Sequence, residues 1–127
     1  MDTKPPECFG TDPRARGLRV ELSPTHSLVL PHEHFVYSEL KAEKENDILK
    51  LVFVTHEVVL IGYMLRRVES GMQTRELAWI VARPERYRSP ASDKAFILRI
   101  EVRLLEDPQP QPNEEVRLKD VLENDAP

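Results

Sequence analysis

Two histidines flank a glutamate in "LPHEHF", residues 30–35. On a β-strand, positions two apart point to the same side. His32 and His34 would then aim two imidazoles at one point, an arrangement from which divalent transition-metal sites are built. Glu39 follows with a carboxylate, and His56 supplies a third imidazole if the fold returns it to the pair. The competing reading is a half-exposed strand on which histidine is simply tolerated, with Glu33 marking its wet side. His26, after "SPT", reads as a loop residue, and His56 with Glu57 as a turn. A second stretch with chemical potential is "RPERYRS", residues 83–89. Arg83, Arg86 and Arg88, with Tyr87, offer guanidinium groups and a ring of the kind that grip a phosphate or stack on a base. Arg66, Arg67 and Arg75 extend this basic character, while Glu76 and Glu85 dilute it.

The segment His32-x-His34-x4-Glu39 resembles the first motif of the cupin barrels, which binds a metal through two histidines and a glutamate. The resemblance implies a metal-binding protein or a metal-dependent enzyme, with His32, His34 and Glu39 as ligands and His56 as the one downstream histidine. It spans residues 32–39 only. Cupins carry spacing glycines around this motif, whereas the only glycines here are Gly10, Gly17, Gly62 and Gly71. No G-x-S-x-G elbow surrounds any serine, and neither G-x-x-x-x-G-K-[ST] nor G-x-G-x-x-G occurs. No catalytic residue is assigned on this basis.

The single cysteine, Cys8, cannot close an internal disulfide, which fits a reducing compartment. The first residues are polar and proline-rich, with no apolar core of a signal peptide. The longest apolar run, "LVFVTHEVVLIGYML", is interrupted by Thr55, His56 and Glu57 and is too short and polar to span a bilayer. A cytoplasmic protein without membrane association is the expectation. Net charge is −4 and uneven: residues 106–127 hold seven acidic against two basic groups, a net −5, leaving +1 elsewhere. A body so nearly neutral is a poor nucleic-acid binder, because that needs a dense basic patch.

These residues must be positioned by a chain of 127 residues, 40% of them hydrophobic, enough for one domain with a real core. Residues 1–17 read as a disordered tail, rich in proline and glycine. Residues 18–106 hold the periodic signal of a single α+β domain. Residues 107–127 form an acidic, proline-rich tail whose "EEVRLKDVL" has the pattern of a short helix. In the body, "LRVEL" alternates as a half-buried strand does. "SLVLPHEHFVYSELKAE" reads as one long strand bent at Pro31. "ILKLVFVTH" and "EVVLIG" form an antiparallel pair. From Met64 onward the period becomes helical, placing Leu65, Val68, Met72 and Trp79 near one face. "AFILRIEVRLLE" closes the body as a clean amphipathic strand.

The expected fold is a small, mostly antiparallel twisted sheet of about five strands, open or barrel-like, with one main helix after the fourth strand. The middle strands are apolar on both faces, and one helix cannot cover both. The expected function is accordingly non-catalytic: a binding domain that pairs with itself as a homodimer or with another protein. Its anchors would be Trp79, Arg83, Arg86, Tyr87 and Arg88, since aromatic and arginine side chains dominate interface energetics. No cofactor is expected on this reading, and a divalent transition metal on the alternative.

Overall fold

The computed structural model describes residues 7–89 and 93–106. The segment 107–127, with its expected short helix, lies outside them, as does the start of the expected N-terminal tail.

In the described residues the domain is mostly antiparallel sheet with one α-helix, roughly the α+β class. Among the described residues, eight strands form two four-stranded sheets, not closed into a barrel. The first has the order β1 (Phe9–Thr11), β7 (Leu77–Val81), β2 (Gly17–Ser23), β3 (His26–Pro31). The second has the order β4 (Phe35–Ala42), β5 (Asp47–Phe53), β6 (His56–Tyr63), β8 (Phe96–Leu104). Among the described strands, β2 and β7 alone run parallel. The helix α1 (Arg66–Gln73) joins β6 to β7.

The first sheet and α1 pack together against one face of the second sheet. Leu18, Val20, Leu30, Leu77 and Ile80 from the first sheet join Leu49, Leu51, Phe53, Val58, Leu60 and Ile97 from the second in one buried cluster, with Leu65, Val68 and Met72 at the helix. Alternation leaves the other face of the second sheet outward, where ion pairs cross it. Lys50 lies between Glu39 (3.8 Å) and Glu57 (3.9 Å), and Arg103 reaches Glu57 at 2.6 Å.

Several expectations need correcting. The single sheet of about five strands is, among the described residues, two sheets of four, and α1 follows the sixth strand rather than the fourth. The long strand through Pro31 is two strands in different sheets, separated by a 3-10 turn at His32–His34. Proline cannot donate to a ladder, and the chain changes sheet where that donor is missing. The helical reading runs too far: α1 ends at Gln73, and Trp79 lies on β7. The stop is a Schellman motif. Glu76 N–H donates to Gly71 O (2.9 Å) and Arg75 N–H to Met72 O (3.0 Å), with Arg75 left-handed at φ 59°. The backbone strain at Arg75 predicts that Arg75→Gly stabilises the fold by about 0.5–1 kcal/mol, measured as a raised denaturation midpoint. Finally, residues 9–11, inside the expected disordered tail, form β1. Val81 N–H donates to Cys8 O (2.8 Å) and Asp12 N–H to Glu76 O (2.7 Å), so backbone bonds hold this segment to β7 and its approach. Among the described residues, no helix is long and apolar enough to cross a membrane.

Candidate binding cleft

The four expected metal ligands are placed apart. His32 is buried at 4% exposure and bonds through Nε2 to Leu77 O at 2.9 Å. A carbonyl only accepts, so Nε2 carries the hydrogen. Its Nδ1 is buried without a hydrogen-bond partner among the described residues. His34 is half-buried at the end of the 3-10 turn, so the two rings do not share a strand face. Glu39 is on the outward side of β4 beside Lys50. His56 opens β6, with Nδ1 2.7 Å from Thr55 Oγ1. Among the described residues, no group of three His, Cys, Asp or Glu is placed to hold a metal. What the structure gives His32 is a packing role, tying the turn between the sheets to the start of β7. His32→Ala is expected to cost about 2–4 kcal/mol, combining a cavity with an unmet Leu77 carbonyl, measured by chemical denaturation.

The interface candidates divide differently. Trp79 and Arg88 line one cleft of about 490 Å³. Residues Glu7–Thr11 form one wall, along the strand at the edge of the first sheet. Arg67 of α1, Arg88, Lys94 and Phe96 contribute the others. Arg83 is structural: its backbone N–H donates to Ile97 O (2.9 Å) and its Nε–H to Glu7 O (3.3 Å). Arg86 stacks on exposed Tyr87 at 4.9 Å, outside the cleft lining.

Gly10 decides where the indole goes. It is the register partner of Trp79, and a Cβ built there would fall 2.3 Å from Trp79 Nε1. Glycine therefore lets the ring cross β1 and reach the cleft. No described residue accepts from the indole N–H. The Arg88 guanidinium carbon lies over the Tyr63 ring, 3.7 Å from its centre. A cation in this position is held by the negative face of the ring. Tyr63 donates to Glu85 at 2.7 Å, and that bond to a carboxylate holds its hydroxyl above the usual phenol range. Arg67 pairs with Asp93 at 3.7 Å, both largely exposed, which is a weak tie. Three cations thus border a cleft whose lining holds one carboxylate, Glu7.

Cys8 also lines this cleft, but its residue is only 1% exposed and its thiol faces Ile97 O at 4.0 Å. Burial raises its pKa, outweighing the opposing effects of the Ile97 hydrogen bond and Arg83. The thiol is therefore kept protonated and is a poor nucleophile. Alkylation of native protein at neutral pH should be far slower than of the denatured chain, read by mass spectrometry. A raised thiol pKa favours the folded state fully below the ordinary thiol value. That contribution is lost as pH climbs through the raised one.

Sequence reasoning named Trp79 and Arg88 and noted Arg67, but missed Gly10, Cys8 and Lys94. The first two come from a segment read as a tail, and no local pattern carries them to β7. No family model, curated protein or solved structure matches this chain.

Proposed function

We propose that this domain is a non-catalytic binding module that takes an extended, acidic segment of a partner protein in the Trp79 cleft. The observation supporting this most is the convergence of Arg67, Arg88 and Lys94 around an aromatic side chain. The volume is in the range of specific ligand pockets. Arg88 is held by the Tyr63 ring rather than by a carboxylate, so a ligand's acidic group need not displace an ion pair from it. The cleft also runs along an edge strand, where an extended chain can align its backbone. A partner segment with an acidic and an aliphatic or aromatic side chain would use both wall types.

Trp79 is the sole tryptophan, so the site carries its own reporter. Titration of the full chain with short Glu/Leu peptides should change its fluorescence saturably, and Gln/Leu peptides should not. Arg88→Ala should weaken binding by roughly tenfold or more, the worth of a charge-assisted hydrogen bond. Added salt should weaken it further. A signal equal for both peptides, or indifferent to Arg88→Ala, refutes the assignment. Saturation by inorganic phosphate alone would instead mark a small-anion site.

A further inference from the structure

We infer that two copies of this chain pair antiparallel along the free edges of their β8 strands, with Val102 opposite Val102 of the second copy. This interface is separate from the cleft and does not depend on it. Strand β8 ends the second sheet, nine residues long and without proline. Leu105 N–H donates to Thr55 O (2.9 Å), one step beyond the His56–Leu104 pair. Pairing alternates along an antiparallel ladder. The backbone groups of Glu101 and Arg103 therefore face β6, and those of Ile100, Val102 and Leu104 face outward. Among the described residues, no hydrogen bond reaches that outward row. Near Ile97 the edge is closed by Arg83 N–H, so the open stretch runs from about residue 99 onward.

Edges are often guarded by charged side chains. Here the guard is self-complementary. In a two-fold antiparallel pair centred on residue 102, position 101 faces position 103. Glu101 then meets the second copy's Arg103, and Arg103 meets the second copy's Glu101. Each Glu101 already holds Arg99 (2.8 Å) and each Arg103 holds Glu57 (2.6 Å), so the contact joins two existing pairs. On the other face, Ile100 meets the second copy's Leu104, which is 69% exposed in one copy. Shifting the centre to residue 101 keeps the outward rows matched but sets Glu101 against Glu101, a repulsive pair. The remaining edges are less suited. Strand β1 has three residues, β3 ends in Pro31, and β4 has α1 beside it, where Val36 and Ser38 share a groove with Glu69 and Gln73.

Pairing one strand end buries little area, so the dimer should be concentration-dependent. Light scattering of the full chain over a wide concentration range tests this beside Val102→Pro. Proline at 102 removes only an outward N–H and spares the ladder to β6. The expected result is a rising mass for the native chain and a folded monomer for the variant, with at least a tenfold weaker association. Val102→Cys should crosslink under oxidation of native protein, and Glu101→Cys should not. A native chain that is monomeric throughout overturns the inference, as it must if residues 107–127 cover the edge. So does a dimer that survives Val102→Pro or crosslinks through position 101. If Val102→Pro fails to fold, the cysteine pair decides alone.

Discussion

Gly62→Ala should be among the most damaging single substitutions in this domain, lowering stability by about 3 kcal/mol or more. A Cβ at residue 62 would fall 2.0 Å from Phe96 O and 3.0 Å from Ile97 Cα. Both obstacles are backbone, so no rotamer change relieves the overlap. The register between β6 and β8 shifts at this point, between Ile61 and Gly62. Glycine permits the two strands to close over the irregularity, and the buried Phe96 and Ile97 depend on that closure. Phe96 also lines the Trp79 cleft, so a partly folded variant should lose peptide binding as well. Urea denaturation followed by circular dichroism gives the measurement. A midpoint within error of the native chain would show that β6 and β8 are not so closely apposed.

Gly10→Ala should act differently, because the obstacle is a side chain. The added methyl would lie 2.3 Å from Nε1 and 2.6 Å from Cε2 of Trp79. The indole must leave its place across β1, at a cost of about 1–3 kcal/mol. The cleft loses its aromatic wall, Trp79 emission changes, and acidic-peptide affinity collapses. A double-mutant cycle isolates the cause. In a Trp79→Ala background the same Gly10→Ala change should cost little, since nothing remains for the methyl to meet. Equal cost in both backgrounds would place the damage in the β1 backbone instead.

The sequence carried the strands whose two faces differ. In β2, Leu18 and Val20 are buried while Arg19 and Glu21 pair outside at 3.2 Å, as strict alternation predicts. In β8, Arg99, Glu101 and Arg103 are exposed on schedule. Elements that depend on distant partners were not legible. Phe9–Thr11 is a strand because β7 is there to pair with it, and "ECFGT" has too few residues to show a period. Leu77–Val81 continued an apparent helical stripe because Trp79 falls seven residues after Met72. The left-handed turn at Arg75, which a glycine would have announced, is occupied by an arginine. The histidine pair misled for a related reason. Two residues apart means one face only on a strand, and Pro31 ends the strand just before His32. At the cleft, the residue types of Trp79 and Arg88 were informative, but the glycine that aims the indole lies 69 positions earlier.

Collisional quenching of Trp79 fluorescence shows whether the indole stands open in a cleft bordered by Arg67, Arg88 and Lys94. Iodide should be drawn to Arg67, Arg88 and Lys94, and caesium should be repelled. Efficient quenching by iodide, weak quenching by caesium, and a smaller difference between them in Arg88→Ala or at high salt are expected. An indole that neither ion reaches, or that caesium quenches better, would contradict that placement.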